Sequence, residues 1–140
     1  MPDKEHHLDL GYSIWGDDEA FSMSPEETTI GIDLVNIGGE APFSEVKASA
    51  EMIPLKEESI SSVWAGHVMG HNDPNWTAQY ADIDKTLNEI FRVLKPGGKV
   101  FIRVSEEDHK YVVQELRKLK FKIVADYHEG EENYIRATKR

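Results

Sequence analysis

The stretch Leu87-Asn88-Glu89-Ile90-Phe91-Arg92-Val93-Leu94-Lys95-Pro96-Gly97-Gly98-Lys99-Val100-Phe101-Ile102 constrains this chain more than any other segment. Ile83, Leu87, Ile90, Phe91 and Leu94 fall at the i, i+4, i+7, i+8, i+11 spacing of one helix face, so a helix is expected over residues 80–94. Lys95 stands where a cation complements the carboxyl end of a helix dipole, and Pro96 cannot continue the hydrogen-bond ladder. Gly97 and Gly98 allow a turn with positive φ before Val100-Phe101-Ile102 opens a buried strand. Helix, stop and strand in that order make half of a βαβ crossover.

The rest of the chain supplies partners for that half. Apolar runs bounded by turn residues predict strands at 7–10, 29–35, 45–48, 60–66, 99–104, 122–127 and 133–138. A second helix is expected over 107–119, with Val112, Leu116 and Leu119 on one face and Lys and Arg opposite. Strands alternating with helices argue for an α/β layer fold with a mostly parallel sheet, and 140 residues suit one domain spanning 1–140. The first half is expected to be poor in helices. Residues 12–28 leave room only for a short one opening at Ser24-Pro25-Glu26-Glu27, and 36–44 reads as loop, with Gly38-Gly39 and Pro42. A sheet so thinly covered exposes apolar surface, which a second copy or a partner protein is expected to cover.

Composition removes several classes of chemistry. With no cysteine there is no disulfide, thiolate metal site or cysteine nucleophile. The formal charge of −10 is concentrated in residues 1–80, with 15 Asp/Glu against three Lys/Arg, whereas 81–140 carries 11 against 13. Such a surface repels phosphate backbones, so nucleic acid is not the expected substrate. No apolar run approaches the ~18 residues of a membrane span, and Met1 to His7 lacks a signal-peptide pattern, so no membrane partner and a cytoplasmic location are expected.

Four ordered segments carry candidate site residues. His7-Leu8-Asp9-Leu10-Gly11-Tyr12-Ser13 is a strand running into a glycine turn. Thr29-Ile30-Gly31-Ile32-Asp33-Leu34 places an acid at the end of the next strand. An acid about 20 residues past a glycine turn is placed to bind ribose hydroxyls, although Asp33 is also a good turn former. Ala48-Ser49-Ala50-Glu51-Met52-Ile53-Pro54-Leu55 follows the third strand, and the fourth runs through Ser59-Ile60-Ser61-Ser62-Val63-Trp64-Ala65-Gly66-His67-Val68-Met69-Gly70-His71. His67 and His71 sit four residues apart, as metal ligands on a helix do, but no third ligand is spaced to join them, so no metal is expected.

In this order the segments resemble class I methyltransferases that use S-adenosylmethionine, in their small type 11-like form. The opening segment resembles the family's "E-x-x-R-V-L-K-P-G-G", and the others its "L-D-L-G-C-G", "G-D-A-E-x-L-P-F" and "S-F-D-x-V-x-x-x-H-V-L-E-H". Among the departures from these patterns, Tyr12 and Ser13 replace a small residue and a glycine, Ser49 an aspartate and Gly70 a glutamate. The resemblance implies a Rossmann-like, seven-stranded, mostly parallel sheet with its last strand antiparallel. It implies S-adenosylmethionine as cofactor, its ammonium held by Asp9 and its methionine part by the Gly11-Tyr12-Ser13 turn. Asp33 with Leu34 would take the ribose, and Ser49, Ala50 and Glu51 the adenine side. His67 would line the site near the sulfonium, and His67 or His71 would accept a proton where one must leave. The acceptor implied is a small molecule. Two rivals stand beside this reading: a methyltransferase-like fold acting as a non-catalytic binding or regulatory subunit, and another nucleotide-binding α/β protein. The latter lacks any segment resembling a phosphate-binding loop.

Overall fold

The structure, a computed structural model, describes residues 6–10, 29–33, 44–66, 68–70, 80–129 and 132–140. Seven strands and two helices follow one another in these residues. They are β1 (His7–Leu10), β2 (Thr29–Asp33), β3 (Ser44–Lys47), β4 (Ile60–Gly66), α1 (Ile83–Val93), β5 (Leu94–Ser105), α2 (Glu106–Lys118), β6 (Phe121–Glu129) and β7 (Glu132–Lys139). One sheet runs in the order β3-β2-β1-β4-β5-β7-β6. Pairing is parallel from β3 through β5, and β7 is antiparallel to both β5 and β6.

Alternation along the strands sorts side chains onto two faces. Leu8, Leu10, Val63, Ala65, Val100, Ile102, Val104, Ile135 and Ala137 share one face and are at most 2% exposed. Against them pack Leu87, Ile90 and Val93 of α1 with Val112 and Leu116 of α2. The opposite face carries Trp64 stacked on Phe101 at 5.5 Å, with the Arg136 guanidinium 4.9 Å from the Phe101 ring centre. Beside them Tyr127 stacks on Tyr134 at 5.1 Å, and Arg103 lies 5.6 Å from the Tyr134 ring.

Several expectations need correction. The first helix starts at Ile83 rather than at residue 80. Asp82 caps it by accepting the Lys85 N–H, and Ala81 is drawn instead into a parallel bridge with Met69. The strand expected at 99–104 begins at Leu94, because Leu94 pairs with Ile60 before Lys99 pairs with Ser62, and residues 95–98 bulge out between the two pairings. Of the two glycines, Gly97 alone takes a positive φ, +82°. Gly98 is needed for space: a Cβ there would lie 2.8 Å from both the Lys95 carbonyl oxygen and Leu94 Cδ2. Nor does Lys95 cap the carboxyl end of α1. The carbonyls of Phe91 and Leu94 instead accept from the buried Lys139 ammonium at 2.6 and 2.7 Å. The expected scarcity of helices in the first half falls on residues outside those described.

Candidate functional site

The chain winds from β1 outward to β2 and β3, then returns to place β4 on the other side of β1. In an open α/β sheet such a reversal opens a crevice at the carboxyl ends of the strands. Register fixes what meets there. Leu10 pairs with Ile32 on one side and Ala65 on the other, so Asp33 and Gly66 both lie one residue further along, and Asp33 is opposite Lys47. The ends of β1 to β4 are therefore level.

Asp9 sits one residue before the end of β1, flanked in register by Gly31 and Trp64, and is only 4% exposed. A carboxylate so buried is retained at a cost unless it meets a cation or hydrogen-bond donors. Trp64 points along its strand towards the same edge, its Nε1 lying 3.1 Å from where a Gly66 Cβ would stand. That indole N–H is buried with no acceptor among the described residues. Asp33 ends β2 at the edge of the crevice.

The loop leaving β3 forms the far side. Ala50 is buried, and the Ser49 hydroxyl accepts the Glu51 N–H at 3.1 Å in a tight local turn. The Glu51 carboxylate turns away towards α1, accepting the Asp82 N–H at 2.9 Å and lying 4.0 Å from Lys85 Nζ. Further along, Ile53 N–H donates to Glu89 at 2.8 Å, while Arg92 donates to the carbonyls of Ile53 and Leu55 at 2.7 and 2.8 Å. Arg92 also binds both carboxylate oxygens of Glu89. That guanidinium holds the Glu89 carboxyl below its ordinary value; burial opposes the shift and the Ile53 N–H reinforces it. Arg92 is raised in turn, chiefly by its hydrogen bonds to Glu89.

Beyond β4, Met69 and Gly70 are tied to α1 through Ala81, whose N–H donates to Val68 at 2.8 Å and whose carbonyl accepts from Gly70 at 3.2 Å. The buried Asp108, at the start of α2, presents its Oδ2 2.9 Å from where a Gly70 Cβ would stand.

Of the sequence-derived site residues, the structure brings Asp9, Asp33, Ser49 and Ala50 to one edge of the sheet. Gly11, Tyr12, Ser13, Leu34, His67 and His71 lie outside the described residues. Sequence reasoning assigned no role to Asp108, Trp64, Glu89 or Arg92. For the last two a signal existed: both stand in the "E-x-x-R" of the opening motif. A cavity lined by His7, Ser61, Ser62 and residues 95–99 lies at the opposite, amino ends of β1, β4 and β5, so it is separate from this crevice. Among the described residues no group of three or more histidine or acidic side chains is placed to hold a metal ion. No helix among them is long and apolar enough to cross a membrane.

The profile of the methyltransferase-domain family matches residues 20–102. The chain belongs to that family. Over 71 residues it is 38% identical to the ubiquinone/menaquinone biosynthesis C-methyltransferase of Bartonella bacilliformis, a match covering 50% of this chain and 24% of that protein. The chain thus spans about a quarter of the curated relative it matches. Solved structures share the fold at low identity. The 1,6-didemethyltoxoflavin-N1-methyltransferase of Burkholderia thailandensis, with bound S-adenosylhomocysteine, superposes with a TM-score of 0.70 at 15% identity, covering 97% of this chain and 72% of that one. A Haloferax volcanii methyltransferase structure, solved with an activator protein, gives 0.70 at 15% identity, covering 99% and 84%. The Rossmann-like methyltransferase architecture expected from the motifs is therefore present.

Proposed function

We propose that this chain transfers a methyl group from S-adenosylmethionine to a small-molecule acceptor. One observation carries the reading: a buried acid next to the end of β1, an acid at the end of β2 and a hydroxyl-bearing turn after β3 lie at one edge of the sheet, at its reversal point. This donor set fits the group chemically. An acid suits an ammonium, a strand-end acid suits vicinal hydroxyls, and an oxygen acceptor suits an exocyclic amine.

Asp9 holds the α-ammonium, and Gly11, Tyr12 and Ser13 admit the methionine backbone. Asp33, with Leu34 beside it, accepts from the ribose hydroxyls. Ser49 and Ala50 form the adenine side, where a neutral serine oxygen replaces the family's carboxylate, and Glu51 supports that turn through its backbone while its carboxylate is held by the Asp82 N–H. When bound, S-adenosylmethionine supplies an electrophilic methyl carbon on a positively charged sulfur. The chain's main contribution is alignment, since orienting both reactants removes much of the barrier. His67 follows directly on the last residue of β4, and His67 or His71 takes a proton where the acceptor must lose one.

The Bartonella relative is named for methylation at carbon and the Burkholderia neighbour for methylation at nitrogen, which supports the reaction class without selecting an acceptor atom. The Haloferax neighbour, seen with an activator, supports a partner protein for this chain. Incubation with methyl-labelled S-adenosylmethionine and a panel of phenols, enols and amines tests the reading. Label appearing in one acceptor and lost in Asp9→Asn is expected. Label that stays on the cofactor across the panel, despite proven binding, contradicts transfer.

A further inference from the structure

Helix α1 holds residues 51–55 of the loop after β3 at two places through side chains, while further along the loop the Glu58 and Ser59 N–H groups donate to the Arg92 and Val93 carbonyls at 2.8 Å. At its amino end Glu51 reaches across to the Asp82 N–H. At its carboxyl end Glu89 and Arg92 take hold of Ile53 and Leu55, engaging one N–H and two carbonyls. Among the described residues the loop's own backbone bonds are few: Met52 N–H to the Ser49 carbonyl, and Leu55 N–H to the Ile53 carbonyl. Ser49 and Ala50 follow closely on the carboxyl end of β3, within four residues of Ile53, so what fixes 53–55 also fixes the approach of 49–50.

We propose that Glu89 and Arg92 form a positioning clamp that sets the adenine side of the cofactor site from outside it. The inference rests on the cofactor reading above and deepens it. Neither side chain reaches the ligand. Arg92 supplies the two outer hydrogen bonds through a planar fork, and Glu89 orients that fork by accepting from its Nε and Nη2 while receiving the Ile53 N–H. A lysine at position 92 keeps the charge but cannot reach two carbonyls and a carboxylate at once. The family-like "E-x-x-R" spacing thereby acquires a physical role: i and i+3 on one helix face bring the two side chains together at the loop.

The test combines calorimetry with S-adenosylhomocysteine and amide hydrogen exchange on the full chain, in Arg92→Lys and Glu89→Gln. In Arg92→Lys the affinity is expected to fall about tenfold, the equivalent of roughly one hydrogen bond. Exchange should quicken only at residues 49–55, and saturating ligand should slow it again. Glu89→Gln, which still offers an acceptor to the Ile53 N–H, should move both readouts the same way by less, and it serves if Arg92→Lys does not fold. Unchanged affinity in both variants would overturn the clamp, and so would faster exchange throughout β4 and β5 alongside the lost affinity, which marks a general loss of stability. Wild-type protein that binds no S-adenosylhomocysteine would instead sink the cofactor reading itself, and the clamp with it.

Discussion

Residues 97 and 98 are both glycine for different physical reasons, and the difference can be measured. Gly97 adopts φ +82° with open space around its missing Cβ, so alanine there costs only backbone strain, about 1 kcal/mol. Gly98 has no such strain, but a Cβ would press on the Lys95 carbonyl at 2.8 Å and the Ser61 carbonyl at 3.2 Å, neither the flexible end of a side chain. Gly98→Ala is therefore expected to destabilise by about 2 kcal/mol or more in denaturant unfolding, beyond Gly97→Ala. Thr86 is the converse case, fully buried in α1 with its hydroxyl unpartnered among the described residues. Thr86→Val keeps the shape and removes the desolvated oxygen, so it is expected to stabilise by about 1 kcal/mol in the same measurement. Two adjacent glycines were legible in the sequence as a turn. Which of them needs freedom of φ and which needs space depends on Ser61 and Leu94 being beside them.

Elements were legible where local pattern and tertiary context agree. β1 and β4 begin and end where alternation and flanking turn residues put them. The carboxyl end of α1 was misread because its cap arrives from the end of β7: Lys139 is distant in sequence, whereas Lys95 is adjacent. The hold of α1 on the loop after β3 was hidden for the same reason, since Glu89 and Arg92 act on residues 36 to 39 positions earlier. That hold has a pH signature. Glu89 titrates below its ordinary 4.5 in the folded state, mainly through its hydrogen bonds to Arg92. A depressed carboxyl contributes stability that is present above pH 4.5 and lost as pH falls through the lower folded value. Thermal unfolding should therefore show Glu89→Gln less stable than wild type at pH 7. The gap should narrow below pH 4.5, and a gap that stays constant down to pH 3 would contradict the ion pair.

For the whole molecule, strand order and register bring the candidate site residues to one edge of the sheet. Reversal at β1 brings the ends of β1 to β4 level, and this places Asp9, Asp33 and the Ser49–Ala50 turn around one crevice although they are spread over 42 positions of sequence. Those residues could be picked from the motifs, because glycine and acid recur where a strand meets a turn. Asp108 and Trp64 could not, because their place near the crevice comes from the packing of α2 and β4 against segments remote in sequence. Strands β1 to β4 from the acidic first half and β5 to β7 from the near-neutral second half belong to one sheet. Titration calorimetry of S-adenosylhomocysteine into wild type and Asp33→Ala tests the central claim most directly. Micromolar binding by wild type, lost in Asp33→Ala while its thermal unfolding is unchanged, is the predicted result. No binding by wild type at millimolar ligand, or equal binding by both proteins, would contradict it.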